Sequence, residues 1–131
     1  MLRILLNDGL DKKAISNLEM LGCDVDTNHY DIEDLKEKIK EVDCIVIRSA
    51  TKIRRELIDE AIKGGKLKLI IRGGVGLDNI DVQYAEQNGI KVRNTPNASS
   101  SSVAEIILAH IFCLARFLIQ SNITMKAGLW K

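Results

Sequence analysis

Five short apolar runs alternate with amphipathic segments along this chain, and that alternation restricts the possible folds more than any other feature. The runs occupy residues 2–7, 23–27, 43–48, 67–72 and 90–92. Each has the length of a strand, and the segments between them repeat apolar residues at helical spacing. Connections of this length are too long for hairpins, so the strands are expected to be parallel and joined by right-handed crossovers. The sequence predicts an α/β fold with a flavodoxin-like, five-stranded parallel sheet.

The segments between the runs predict four helices that lie against this sheet. Asp11 is placed to cap the first helix, and Gly22 to end it in the left-handed conformation. Gly64 and Gly65 end the third helix, and a short fourth helix is expected at 82–87. The residues predicted to face the sheet are Ala14, Ile15, Leu18 and Leu21, then Ile32, Leu35, Ile39 and Val42, then Leu57, Ile58, Ala61 and Ile62. The charged residues of the second helix are interpreted as a solvated face.

Charge and cysteine content exclude several classes of protein. The formal net charge of +1 gives no electrostatic footprint for nucleic acid or for an anionic membrane. Cys23, Cys44 and Cys113 are odd in number, lack metal-ligand or redox spacing and lie in apolar stretches, so they are predicted to be buried, reduced thiols. The apolar run before Asn7 is too short for a signal peptide, and a cytoplasmic protein is expected.

The last helical segment differs from the others because its apolar residues occur all round. Ser102 and Glu105 have the spacing of a capping box and predict that a helix begins there. Residues 103–119 are apolar except for Glu105, His110 and Arg116, so a single sheet face cannot bury them all. The stretch is shorter than the about 20 apolar residues that span a membrane. We expect a second domain, a symmetric partner chain, or both, to cover it, with His110 as a hydrogen-bonded interface or core residue.

Polar groups that follow the third and fourth strands are the candidate ligand-binding residues, since open parallel sheets bind ligands at the carboxyl ends of their strands. Arg48, Ser49, Thr51 and Lys52 offer a guanidinium, two hydroxyls and an ammonium that suit a carboxylate or a phosphate. The alternative is a solvated Arg48, with Ser49 or Thr51 capping the next helix. Residues 72–79 form a glycine-containing loop whose amides could hold an anion. A plain turn is the alternative there.

The glycine-containing loop is not a dinucleotide fingerprint. Gly74 and Gly76 match its first two glycines, but Asn79 stands where the third belongs. Neither His29 nor His110 has a carboxylate or nucleophile at a meaningful local spacing, so a general-base role for either is not expected. The acidic residues of the following segment, Asp78, Asp81 and Glu86, are interpreted as turn and cap residues.

Five ordered motifs together resemble the D-2-hydroxyacid dehydrogenases. They are IRSATK at 47–52, IRGGVGLDNID at 71–81, NTPN at 94–97, SVAE at 102–105 and MKAGLW at 125–130. The resemblance extends over the whole chain. Within that family, the Arg48-Ser49 pair is most similar to the enzymes that oxidise 3-phosphoglycerate.

The resemblance implies a subunit of two domains. Residues 1–100 would build the N-terminal part of the substrate-binding domain, and residues 101–131 would be the crossover helix and the start of a linker to an NAD-binding Rossmann domain. The helix at 103–119 is also similar to the element through which the family forms homodimers. No membrane or nucleic-acid partner is implied, and the small-molecule partner would be a 2-hydroxy acid.

The resemblance also assigns site residues. Arg48 and Ser49 would lie near the anionic end of the substrate, and the amides of Gly74, Val75 and Gly76 would hold its carboxylate beside the nicotinamide. Val75 would also touch the cofactor. Ser99 would face the substrate, although relatives often have asparagine at that position.

The family's reaction is hydride transfer from C2 of the hydroxy acid to NAD, with a histidine as base and an arginine that polarises the forming carbonyl. Those residues and the true dinucleotide fingerprint follow the crossover helix in the family, so this chain alone is expected to be catalytically silent. Arg48 and Lys52 favour a substrate with a second anionic group. Glycerate, lactate and formate dehydrogenases remain alternatives.

Two other classes of protein remain as alternatives. A receiver-type signalling domain shares the flavodoxin-like winding, but it needs an aspartate at the end of strand three, where Arg48 stands. No lysine ends strand five, which also disfavours a receiver domain. The third possibility is a purely structural dimerisation module.

Overall fold

The computed structural model describes residues 1–129 of the chain. These residues form two compact units, one spanning Met1–Pro96 and a second that starts at Asn97. Trp130, the last residue of the motif at 125–130, lies outside the described residues.

The first unit is built on a five-stranded parallel sheet. The strands are β1 (Arg3–Leu6), β2 (Asp24–Asp26), β3 (Cys44–Ile47), β4 (Leu69–Arg72) and β5 (Lys91–Asn94). Their order in the sheet is β2-β1-β3-β4-β5, and all neighbouring strands pair in parallel. This is the flavodoxin-like order, so the predicted fold class is confirmed. All four residues of the central strand β3 are buried.

Four helices connect these strands. They are α1 (Lys12–Met20), α2 (Ile32–Lys38), α3 (Arg55–Gly64) and α4 (Val82–Gln87). The Asp11 carboxylate accepts from the Lys13 amide at 2.9 Å and caps α1 as predicted. Gly22 and Gly65 are left-handed, with φ of 80° and 67°. The bounds of α4 agree with the prediction.

The core lies on both faces of the sheet, because successive side chains of β3 point to opposite sides. Ile45 and Ile47 belong to the larger cluster, with the buried residues of α2, α3 and α4. Cys44 and Val46 belong to the smaller cluster, against which residues of α1 pack. Three predicted core residues are wrong, and one of them, Leu21, which follows α1, is 80% exposed. Ile32 is 51% exposed and Ile62 is 39% exposed, because α2 and α3 each turn a narrower stripe to the sheet than helical spacing suggested.

The second unit contains α5 (Ser100–Ala115) and α6 (Leu118–Lys126). The predicted capping box is wrong, because Ser102 lies inside α5. The continuous helix predicted at 103–119 is also wrong. Phe117 adopts a left-handed conformation with φ of 51°, and the two helices are bent by 58° at this break.

The side chains of α5 and α6 are exposed in the single chain, apart from the partly buried Cys113. His110 is exposed with them. Within residues 1–129, no single helix has the length and apolar character needed to cross a membrane. Only the bent pair of α5 and α6 meets the length and composition criteria jointly.

The three cysteines are free thiols, as predicted, but only one of them is buried. Burial raises the pKa of the Cys44 thiol to about 11. Cys23 and Cys113 are partly exposed, so the prediction that all three are buried is wrong for these two.

Candidate functional site

The loop that follows β3 is fixed by a carboxylate from the end of β1. Asp8 Oδ2 accepts from the Arg48 amide at 2.6 Å and from the Thr51 amide at 3.1 Å. The Thr51 hydroxyl donates to Asp8 Oδ1. Burial acts to raise the pKa of Asp8, but the bonds from the Thr51 hydroxyl and from the Thr51 and Arg48 amides outweigh it and lower this pKa. Asp8 is therefore an ionised acceptor at neutral pH.

The same loop is held from the other side by Asn79. Its Nδ2 donates to the carbonyl oxygens of Arg48 and Thr51, each at 2.8 Å, and its side chain is buried. The main chain continues the connection, since the Ile53 amide donates to the Asn79 carbonyl and Ile53 pairs with Ile80 in an isolated parallel bridge. These bonds therefore hold the loops after β3 and β4 together at the carboxyl edge of the sheet.

Of the four side chains predicted to bind an anion after β3, three are exposed and one is used in hydrogen bonds within the protein. Arg48, Ser49 and Lys52 are exposed, whereas Thr51 is buried on Asp8. Arg48 lies over the glycine-containing loop, since a Cβ atom on Gly73 would be 3.6 Å from Arg48 Cγ.

The alternative in which Ser49 or Thr51 caps α3 is wrong. The Asp81 carboxylate performs that role, because it accepts from the Arg55 amide at 3.1 Å and from Arg54 Nη1 at 3.0 Å. Asp81 was expected to be a cap residue. It caps α3 and makes no side-chain cap bond to α4, which it precedes.

The glycine-containing loop uses the amides of Gly73 and Gly74 in bonds to the protein and leaves those of Val75 and Gly76 free. The Gly73 amide donates to the Ile47 carbonyl at 2.8 Å, and the Gly74 amide donates to the Arg72 carbonyl at 2.9 Å. Among residues 1–129, the amides of Val75 and Gly76 have no protein acceptor. Of the three amides expected to hold a carboxylate, only these two are available.

The free amides lie in a loop that is anchored to β5. The Thr95 amide donates to the Gly74 carbonyl at 3.0 Å, and Asn94 Nδ2 donates to the Val75 carbonyl at 2.7 Å. Both bonds join a carbonyl oxygen of the loop to a residue at the end of β5. The loop is therefore a braced segment and not a plain surface turn.

Arg72 is a candidate site residue that sequence reasoning did not single out. Its Nε is buried and, within the described part of the chain, has no hydrogen-bond partner. A Cβ atom on Gly74 would collide with its Nη1 atom, so the guanidinium lies against the free-amide loop. The available signal was an arginine placed directly before two glycines. A buried donor without a partner suits an anion.

Ser99 belongs to the second unit, where it precedes α5, is exposed and makes no side-chain cap bond. His29 Nδ1 lies 2.7 Å from the Asn7 carbonyl oxygen, and its Nε2 lies 3.9 Å from Asp31 Oδ1. No group of His, Cys, Asp or Glu within residues 1–129 could hold a metal ion.

The residues of this loop do not fit the pyrophosphate site of a dinucleotide. Such a site needs a helix that starts within the glycine motif and presents its first amides to the phosphates. Here α4 begins only at Val82 and has six residues. Asn79, in the place of the third glycine, is buried on backbone carbonyls. These residues therefore do not build a cofactor cradle.

Comparison with known proteins identifies relatives over nearly the whole chain. Residues 4–125 match the family described as D-isomer specific 2-hydroxyacid dehydrogenase, catalytic domain. The chain is 44% identical over 130 residues to a D-3-phosphoglycerate dehydrogenase of Methanocaldococcus jannaschii, which covers 99% of this chain and 24% of that protein. It is 43% identical over 132 residues to a hydroxypyruvate reductase of Thermotoga maritima, covering 98% of this chain and 42% of that protein.

A solved structure of a similar protein supports the same relationship. The NAD⁺-bound 3-phosphoglycerate dehydrogenase of Entamoeba histolytica matches with a TM-score of 0.69 and 32% identity, over 86% of this chain and 38% of that one. The chain thus spans less than half the length of each of these three relatives.

Fold and site define an α/β protein with a parallel sheet and a set of polar loop residues at the carboxyl edge of that sheet. The chain belongs to the family of D-isomer specific 2-hydroxyacid dehydrogenases, and residues 4–125 match its catalytic domain. The resemblance inferred from the five motifs is confirmed.

Proposed function

We propose that this chain is the substrate-binding part of an NAD-dependent dehydrogenase that oxidises 3-phosphoglycerate to 3-phosphohydroxypyruvate, a step of serine biosynthesis. One observation carries the proposal. The side chains of Arg48 and Arg72 lie against the consecutive glycines 73 and 74, directly before the free amides of Val75 and Gly76. Two arginines close to two unused amides suit a substrate with two anionic ends.

The proposed division of roles follows from the chemistry of these groups. Two adjacent amides can each donate to one carboxylate, as successive backbone N–H groups do in backbone anion sites. The exposed Arg48, with Lys52 and Ser49 after it, would take the phosphate, because a guanidinium binds phosphate with two parallel bonds. Arg72, whose Nε is unpartnered, would add charge near the carboxylate.

The cofactor and the partner chain belong to the same proposal. NAD supplies the hydride acceptor when bound, and Val75 is the residue here that we expect to touch it. Ser99 would face the substrate. The exposed apolar residues of α5 and α6 would form a homodimer, with residues 103–119 at its centre. The catalytic histidine, glutamate and arginine of the family are expected outside this chain.

A second candidate substrate is hydroxypyruvate, which has one anionic end. It is favoured by the 43% identity to the Thermotoga protein named hydroxypyruvate reductase. The free amides of Val75 and Gly76 would serve it equally well. The two candidates differ in whether Arg48 contributes to substrate binding.

A chimera tests the substrate assignment. This chain would replace the matching residues of the Methanocaldococcus D-3-phosphoglycerate dehydrogenase, and NAD reduction would be followed with 3-phosphoglycerate. We expect turnover, and we expect Arg48→Ala to raise the KM for 3-phosphoglycerate about 10- to 100-fold, because a charge-assisted hydrogen bond is lost. Lys66→Ala is the matched control, since Lys66 is an exposed cation in the connection between α3 and β4.

Two outcomes would contradict the proposal. Equal KM values in the Arg48→Ala and Lys66→Ala chimeras would contradict phosphate recognition by Arg48. They would favour hydroxypyruvate as the substrate. Micromolar binding of NAD to this chain alone, measured by calorimetric titration, would overturn the assignment of the cofactor to residues outside it. Binding of NAD to the chimera shows that the chimera has folded.

A further inference from the structure

Arg48 is held through its backbone and not through its side chain. Its amide donates to Asp8 Oδ2 at 2.6 Å, and its carbonyl accepts from Asn79 Nδ2 at 2.8 Å. Asp8 lies 40 positions before Arg48 and Asn79 lies 31 positions after it. The peptide groups on both sides of this residue are therefore fixed by two different loops, while the guanidinium stays exposed.

Thr51 repeats the arrangement three residues later. Its amide also donates to Asp8 Oδ2, and its carbonyl also accepts from Asn79 Nδ2, at 3.1 Å and 2.8 Å. Asp8 thus supplies acceptors to the amides at both ends of the loop at 48–51, and Asn79 supplies donors to the carbonyls at both ends. We call this arrangement of Asp8 and Asn79 the loop clamp.

The loop clamp also joins the loop at 48–51 to the segment that carries the free amides. Asn79 closes the segment that begins with the glycines, and its own carbonyl accepts from the Ile53 amide at 2.9 Å. Any movement of the loop at 48–51 relative to residues 73–79 would break bonds at a buried side chain, and such bonds are costly to leave unmade. The position of Arg48 relative to the Val75 and Gly76 amides is therefore set by this clamp.

The chemistry of each clamp residue matches its role. Asp8 makes three bonds and is an acceptor in all of them, which suits an ionised carboxylate. Asn79 uses only its donor end, because its Oδ1 is buried with no partner among residues 1–129. A carboxylate at position 79 would place one of its oxygens next to both carbonyl oxygens, and it has no N–H group to donate to them.

We propose that Asp8 and Asn79 are positioning residues that hold Arg48 at a fixed distance from the free amides, so that the two ends of one substrate can be bound together. The assignment of a substrate rests on the function proposed above. A site whose groups are ordered before binding loses less entropy when the ligand arrives. Loss of the clamp should weaken binding of the hydroxy acid without weakening binding of the cofactor.

The loop clamp itself can be tested in this chain without an activity assay. Amide hydrogen exchange would be measured residue by residue in the Asp8→Asn and Asp11→Asn variants. Asp11 is the matched control, because its carboxylate also accepts from one backbone amide, that of Lys13, at 2.9 Å. We expect about 10-fold or faster exchange at Arg48 and Thr51 in Asp8→Asn only, and faster exchange at Lys13 in Asp11→Asn only.

The positioning role is tested in the chimera by separating two Michaelis constants. Asp8→Asn and Asn79→Asp should each raise the KM for 3-phosphoglycerate about 10-fold or more, with the KM for NAD within about twofold of the unsubstituted chimera. Asp11→Asn should change neither constant. A purely structural role for the clamp would lower the amount of folded enzyme and leave both constants unchanged.

The possible failures are distinguishable. Unchanged exchange at Arg48 and Thr51 in Asp8→Asn would overturn the clamp. Equal KM values for 3-phosphoglycerate in Asp8→Asn and Asp11→Asn would overturn the positioning role. An unsubstituted chimera that binds NAD but oxidises no 2-hydroxy acid would overturn the proposed function, and the exchange measurement would still decide whether the clamp exists.

Discussion

At the scale of single residues, Thr51 shows how polar groups are satisfied at the carboxyl edge of the sheet. Its side chain is only 8% exposed. The hydroxyl donates to Asp8 and accepts from Asn7 Nδ2 at 2.9 Å, so both of its hydrogen-bonding roles are used. A buried hydroxyl with two partners stabilises the fold chiefly because its removal leaves those partners unsatisfied.

Thr51→Val keeps the shape of this side chain and removes both bonds. We expect it to lower the free energy of unfolding by about 1–3 kcal/mol, since Asp8 and Asn7 each lose a partner in a buried place. Urea unfolding followed by circular dichroism would measure the change. Thr51→Ser retains the hydroxyl and is the control, and equal losses in the two variants would show that the methyl group matters and the hydroxyl does not.

Asp8 makes the stability of the folded chain depend on pH. Although burial acts to raise its pKa, the bonds from Thr51 and Arg48 lower it below the ordinary value of 3.8. The stability that Asp8 contributes is therefore present above pH 3.8 and is lost as the pH falls through the lowered pKa of the folded state. Asp8→Asn should show a weaker fall in unfolding free energy than the unsubstituted chain below this pH. Parallel acid profiles from chemical unfolding would contradict this.

At the scale of elements, the end of α3 is fixed by a close approach between backbones. A Cβ atom on Gly64 would lie 2.5 Å from Lys40 Cα, in the segment that follows α2. Gly65, the next residue, is left-handed with φ of 67° and has open space around its missing Cβ. Two adjacent glycines are thus required for different reasons, one steric and one conformational.

Gly64→Ala should destabilise the chain even though alanine favours helix by about 1 kcal/mol. The overlap with backbone atoms cannot be relieved by a rotamer change, and overpacking of this kind costs about 1–3 kcal/mol. Gly65→Ala should cost about 1–2 kcal/mol from the left-handed conformation alone. Thermal unfolding of both variants would measure these effects. A Gly64→Ala variant more stable than the parent chain would show that α2 and α3 are not packed so closely.

At the scale of the whole molecule, the apolar surface of α5 and α6 is the feature that the single chain leaves unsatisfied. Ile106, Ile107, Leu108 and Ile111 are each more than half exposed, and they follow one another closely on α5. Contiguous apolar surface of this kind marks an interaction site. Its location in a separate compact unit is consistent with the homodimer proposed above.

Light scattering coupled to size exclusion would test that dimer. We expect this chain to elute as a dimer at micromolar concentration, and Ile107→Glu to shift it toward the monomer, because a buried unpaired charge opposes association. Ser101→Glu, an exposed residue of the same helix, is the control. A monomer in the unsubstituted chain would contradict the dimer proposal.

The sequence alone predicted the five strands, the first four helices and the order of the sheet. Apolar periodicity and caps act over a few residues, so the Asp11 cap, the left-handed Gly22 and the bounds of α4 were all predicted. Family motifs added the candidate residues around the loops after β3 and β4.

Only the tertiary structure decided how those loops are held. The bonds of Asp8 to Arg48 and Thr51 join residues at least 40 positions apart, and no local pattern encodes such a partner. The sequence also did not show that the Gly74 amide is already used, that Arg72 lies against Gly74 or that the helical segment breaks at Phe117. Local preferences determine which element forms, whereas long-range packing determines which polar groups of its ends remain free.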